Sequence, residues 1–315
     1  MAEATAWQRV KKSVKEVLPS SGKTCIWMIK ITVIVSFAMM LLKYFNILPW
    51  ISDLVSPVFK FFGLPGASAL AYLSGYFVNC YSAIAVITSL ELDWRATTII
   101  ATMVLCSHSM ILETAVLRKT GASAVRMVIV RTLSALFLGW LLNRILPAGE
   151  VITAEVATGG ELAPFWPVLR DWLIATLKLC VMMTAIIYAL NIVQRLLTEF
   201  GVMKVISLAL TPLMYFFGLP ARTSFLWLVA NIVGLSYGAA AMLDEIDRGA
   251  ISNRDVRLLD SHIAVSHSNL EDLSLMAAIG GLWWVMLLIR MAMAFVLVWE
   301  QRLEFYIADI VSRKK

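Results

Sequence analysis

Residues 61–65 read Phe61-Phe62-Gly63-Leu64-Pro65, and residues 216–220 repeat them as Phe216-Phe217-Gly218-Leu219-Pro220. The offset is 155, and Pro57 and Pro212 share it. Further on, Ser107-His108-Ser109 recurs as Ser266-His267-Ser268 at an offset of 159. That second offset also relates Glu113 to Asp272 and Arg131 to Arg290. A pentapeptide, a tripeptide, an acid and an arginine matched in the same order mark an internal repeat. The second copy carries four extra residues, which the longer loop 244–257 accommodates.

The repeat lies in a chain of 315 residues that is 60% hydrophobic and only 15% charged. Soluble domains are usually about 45–50% apolar and about 25% charged. This balance excludes a soluble enzyme, a disordered chain and a nucleic-acid binder. It indicates an all-α polytopic membrane protein. Apolar stretches of spanning length fall at roughly 24–46, 66–90, 95–117, 122–146, 168–195, 221–243, 256–276 and 281–300. Two shorter stretches, 50–62 and 202–217, end before the Gly-Leu-Pro turns and read as re-entrant or half helices. The expected fold is therefore about eight transmembrane helices plus two half helices.

The formal net charge is +6, and the basic residues are clustered. Arg9, Lys11, Lys12, Lys15 and Lys23 crowd the N-terminal segment 1–23, read as a basic amphipathic lead-in. Arg118, Lys119 and Arg126 mark one loop; Arg248, Arg254 and Arg257 mark a second; Arg302, Arg313, Lys314 and Lys315 mark the tail 301–315. The loop 147–167 holds Glu150, Glu155 and Glu161 with no Lys or Arg between its flanking prolines. The positive-inside rule then places both termini in the cytoplasm and 147–167 outside. Equivalent loops of the two copies fall on opposite sides, so the repeats, 24–146 and 168–300, have inverted topology. That pattern is typical of secondary transporters, whose solute site lies near the midplane between the repeats.

Ionisable residues inside a span are costly and mark function by default. At about 1.5 Å per residue from the turn at Thr120–Gly121, Glu113 lies roughly 10 Å deep, Arg131 roughly 15 Å and His108 roughly 18 Å. The second copy places Asp272, Arg290 and His267 equivalently. Ser107, Ser109, Ser266, Ser268 and Asn269 add hydrogen-bonding groups. Asn79 and Asn231 sit in stretches also interrupted by Gly75, Gly234 and Gly238, where unwound backbone could face a cavity. The arginines suit an anionic group. The alternative is that Arg131 neutralises Glu113 and Arg290 neutralises Asp272. Small polar residues also glue helices together. Lys60 and Arg222 flank the Gly-Leu-Pro turns, and His262 has no counterpart in the first copy.

Cys25, Cys80, Cys106 and Cys180 lie in apolar stretches without metal-ligand spacing and read as small packing residues. No phosphate-binding loop, nucleophile elbow or zinc-protease helix is present. The expectation is no enzyme, no cofactor and no metal site.

These motifs resemble the nucleoside-recognition Gate-domain membrane proteins. That family includes spore maturation proteins A and B, and its modules resemble parts of ferrous iron transporter B and of concentrative nucleoside transporters. The resemblance covers roughly 50–145 and 205–300 as two Gate modules. It implies a multi-pass protein of the bacterial cytoplasmic (inner) membrane. Transport or gating of a small polar or anionic solute follows, with proton coupling through the histidines. A homodimer or a paired Gate protein is the expected protein partner. The competing reading is a non-transporting membrane scaffold or one subunit of a Gate-protein complex. The chain lacks the GTP-binding domain of the iron transporter and has no cysteine shared by both repeats, which speaks against iron.

Overall fold

The computed structural model describes residues 5–148 and 164–313. Most of the acidic loop expected outside, residues 149–163, therefore lies outside the described residues. Helix and turn account for the ordered structure, with no strand among the described residues. The first half runs α1 (Ala6–Tyr44), α2 (Ile47–Lys60), α3 (Ser68–Phe77), α4 (Cys80–Leu90), α5 (Trp94–Ser107), α6 (Met110–Lys119) and α7 (Ala124–Ile145). The second runs α8 (Phe165–Glu199), α9 (Val202–Ala209), α10 (Thr211–Phe216), α11 (Ser224–Ile232), α12 (Leu235–Asp247), α13 (Asn253–Ser266), α14 (Asp272–Ala278) and α15 (Trp283–Arg313). Five helical stretches, α1, α5–α6, α7, α8 and α15, are long and apolar enough to cross a membrane. The protein is an all-α, polytopic membrane protein.

Several boundaries differ from the expectation. The lead-in 1–23 does not end at residue 23, because α1 continues through it for 39 residues, about 58 Å. The tail likewise extends α15 past residue 300 to Arg313. The stretches 95–117 and 256–276, read as unbroken, are each interrupted at their histidine. His108 and His267 are extended, and Ser109 and Ser268 are left-handed with φ of 47° and 54°. That conformation is unfavourable for a side chain with a Cβ. It is held by tertiary bonds, Ser109 N donating to Gly75 O (2.9 Å) and Ser268 N to Ala230 O (3.2 Å). Hydrophobic periodicity carries no trace of those bonds.

The expected interruptions within 66–90 and 221–243 are present. Asn79 caps α4, accepting from Ser82 N at 2.9 Å, while its counterpart Gly234 takes φ of +119°. Across the bends the helices approach closely through small residues. A Cβ added at Gly75 would lie 3.1 Å from Ala83 Cβ, and one at Gly238 would lie 2.7 Å from Ala230 Cβ. The glycine and alanine have exchanged places between the halves at the 155 offset.

The Phe-Gly-Leu-Pro segments are helix stop signals. Leu64 N bonds Phe59 O and Gly63 N bonds Lys60 O, with Gly63 at φ +66°. Leu219, Met214, Gly218 and Tyr215 repeat this pattern, with Gly218 at φ +75°. This is the Schellman arrangement, in which glycine accepts the left-handed position and proline prevents continuation. Asn143 on α7 and Arg302 on α15 then donate to Phe61 O and Gly218 O.

Equivalent elements thus recur at 155 up to α4 and α12 and at 159 from α5 and α13 onward. The four extra residues fall where the loop lengthens. The long helices α1 and α8 pack antiparallel, joined by Arg9–Glu199, Ser21–Asn191 and Ser36–Thr176. The halves interdigitate: Leu117 and Met127 belong to the core of the second half, and Leu275, Met276 and Met286 to that of the first.

Candidate functional site

A helix that stops inside an apolar layer leaves its last carbonyls without partners. The fold answers this with two buried arginines. Arg131 Nε donates to Cys106 O (3.0 Å) and its Nη2 to His108 O (2.8 Å). Arg290 Nε donates to Val265 O (2.8 Å) and its Nη2 to His267 O (2.8 Å). Both residues are 0% exposed. Their shared task is to cap the broken ends of α5 and α13. The guanidinium groups read from sequence as possible anion ligands thus give Nε and Nη2 to backbone, while Arg131 Nη1 is buried without a hydrogen-bond partner.

Beyond the caps the halves diverge. Arg131 Nη2 also meets Glu113 Oε2 at 2.6 Å, the ion pair considered from sequence. The corresponding Arg290–Asp272 pair is not formed; Arg290 Nη1 instead donates to Asn269 Oδ1 at 3.1 Å. The reason is local. α14 begins at Asp272, whereas α6 has begun three residues before Glu113. Asn269 fills the space, donating to Ser266 O and to Asn231 Oδ1.

Asp272 turns to the other half. Its Oδ2 lies 3.2 Å from His108 Nε2, which is also 3.1 Å from Glu113 Oε1. His267 Nε2 lies 3.2 Å from Glu113 Oε2. Each half's acid therefore faces the other half's histidine. The imidazole centroids are 5.1 Å apart, and the rings are nearly inaccessible, at 3% and 0% exposure. Cys106 and Val265, another equivalent pair, also touch, Cys106 Sγ lying 4.0 Å from Val265 O. Equivalent positions of the two halves thus meet one another at this cluster. Among the described residues, His108, Glu113 and His267 present ligand-type atoms within 4.8 Å of one another, an arrangement that sequence spacing did not suggest.

The other expected site residues lie around this centre. Ser107 Oγ donates to Met103 O and Tyr72 OH, and Ser109 Oγ to Val78 O. Ser266 Oγ contacts His262 O and Nδ1, and Ser268 supplies the second left-handed turn. Asn79 spends its oxygen on the α4 cap, and Asn231 donates to Trp227 O. His262 is buried, accepting from Trp227 Nε1 at 3.1 Å. Lys60 is exposed on α2.

Tyr81 lies at the interruption of 66–90, and sequence reasoning missed its partner: its hydroxyl donates to Glu271 Oε1 at 2.5 Å across the halves. Glu271 follows His267 after a stretch that is not helical. It lines a cavity of about 500 Å³ with Ser20, Thr24, Asn191, Gln194 and Tyr237. Asp260 was also missed; it is buried and accepts from Thr120 at 2.9 Å.

Arg222, at the edge of the stretch 221–243, meets at 2.6 Å the Oδ2 of Asp255, which precedes the stretch 256–276. Burial pushes the Asp255 carboxyl up, but bonds from Arg222 and Ser252 outweigh this and hold it below the ordinary range. A depressed folded-state value stabilises above the unfolded value, about 3.9, and the effect is lost as pH falls through the folded value. Asp255→Asn is expected to lower Tm near neutral pH, and the gap from wild type should narrow as the pH falls below the unfolded value of about 3.9. Melting curves in detergent at neutral and acid pH check this.

Residues 25–124 match the family model Gate, described as nucleoside recognition. The match bears out the resemblance over α2–α6 and most of α1. The chain is also 28% identical over 286 residues to the uncharacterized membrane protein YvoD of Bacillus subtilis (strain 168), an alignment spanning 88% of this chain and 90% of the relative. No solved structure matches.

Proposed function

We propose that the protein is a secondary transporter of a small polar solute, with the histidine–carboxylate cluster at the centre of its transport path. The observation that carries this reading is the buried cluster that joins the halves, with His108 on Glu113 and Asp272 and His267 on Glu113. Buried ionisable groups in a membrane domain are expensive and mark solute or proton pathways. These groups also join the two structural repeats, where transporters place their sites.

The charge pattern supports an inverted relation of the halves, with both termini cytoplasmic in a bacterial inner membrane. The antiparallel α1–α8 pair is compatible with it. The cavity bordered by Glu271, of about 500 Å³, is large enough for a nucleoside-sized molecule. A hydrogen-bond-donating solute suits the carboxylates of the cluster better than an anion. The carboxylates and imidazoles are suited to carry coupled protons.

The matched family's description makes nucleosides the first class to test. Detergent-purified protein is melted with nucleosides, organic anions and short peptides. A ligand at about 100 times its Kd adds about 2.7 kcal/mol of stability. At least one polar class, nucleosides first, is expected to raise Tm. A panel with no shift in any class contradicts the reading and favours a scaffold.

A further inference from the structure

We propose that His108, His267, Glu113 and Asp272 form a binding site for one divalent d-block cation of the zinc class, bridging the two halves. The inference concerns the same cluster as the transport reading but stands without it, because metal binding is measured on the purified protein.

The donor atoms fit such an ion. Two imidazole nitrogens and two carboxylates are a common zinc set. Tetrahedral bonds of about 2.0–2.1 Å place neighbouring ligand atoms about 3.3 Å apart. The three nitrogen–oxygen distances across the cluster are 3.1, 3.2 and 3.2 Å. Three ligand–ligand edges therefore already have about that length, and Asp272 joins the group through His108.

The histidines are oriented for this role. His108 Nδ1 lies 3.2 Å from Val104 O, and His267 Nδ1 lies 2.7 Å from Ile263 O. A carbonyl only accepts, so each Nδ1 carries a hydrogen. In the neutral ring the lone pair is then on Nε2, and both Nε2 atoms face carboxylate oxygens. Lone pair against lone pair is repulsive unless a proton or a metal cation lies between. His267 Nε2 is fully buried and makes no hydrogen bond, although Glu113 is 3.2 Å away. Backbone carbonyls bonded to the far ring nitrogen are the usual outer support of metal-bound histidine. Arg131, bonded to Glu113 Oε2, similarly fixes that carboxylate.

Glu113 and Asp272 would bring two negative charges to the ion, one of them already paired with the Arg131 guanidinium. Their ligands come from both halves, so the bound ion holds α5–α6 against α13–α14.

The test uses the untagged full chain in detergent, stripped with chelator and dialysed against Zn(II) or Co(II). One ion per chain and a higher Tm are expected. X-ray absorption of the Co(II) form should show tetrahedral nitrogen–oxygen coordination with scattering from two imidazoles. His108→Gln and His267→Gln are each expected to weaken Kd by about 100-fold or more. The absorption measurement needs no variant, so a variant that fails to fold leaves the test intact. Absence of stoichiometric binding overturns the proposal, as does a spectrum without imidazole or binding unchanged in both variants. Metal bound by a protein that transports nothing supports this inference while contradicting the transport reading.

Discussion

Arg131→Ala is expected to destabilise the protein by about 3–5 kcal/mol, the usual cost of removing one partner from a buried ion pair. Arg131 is fully enclosed and serves three acceptors, Cys106 O, His108 O and Glu113 Oε2. Its removal strands the Glu113 carboxylate within an apolar layer and frees carbonyls at the broken end of α5. Arg131→Lys does not restore the loss, because a single ammonium lacks the planar fork that spans separate acceptors. Tm in detergent, together with the yield of monodisperse protein, measures the effect. A variant that melts with the wild type contradicts the capping role. Loss of uptake by Arg131→Ala alone says little about solute recognition, since the folded protein is itself at risk.

Much of this architecture was legible in the sequence. The Phe-Gly-Leu-Pro pair announced two helix stops because glycine and proline act locally. The shared offsets announced two equivalent halves, and Glu113, Arg131 and His108 stood out because charge inside an apolar stretch is rare. What stayed hidden depends on contacts between distant segments. The left-handed turns at Ser109 and Ser268 are held by Gly75 O and Ala230 O, beyond any sequence window. The choice of Asp272 for His108 over Arg290 follows from where α14 begins, a one-turn difference invisible to hydropathy. Tyr81 and Glu271 meet across 190 residues with no motif to link them. Equivalence of the two histidine motifs was itself the available signal, since equivalent positions of the two halves meet at the cluster.

The largest functional effect is expected at the two histidines. His108→Gln and His267→Gln keep a polar side chain of similar reach but lose the second ring nitrogen and the capacity to carry a proton. Each ring bonds a last-turn carbonyl that a backbone N–H already satisfies, Val104 O and Ile263 O, so Tm should fall less than in Arg131→Ala. Transport, which on this account runs through the cluster that joins the halves, should stop. The deciding measurement is uptake into proteoliposomes under an imposed pH gradient, using radiolabelled nucleosides first and then amino acids and organic anions. The expected result is uptake above protein-free liposomes for at least one solute, reduced to background in both histidine variants while they remain folded. Uptake at the wild-type rate in both variants, or no uptake of any solute by the wild type, contradicts the assignment of the cluster as the transport site.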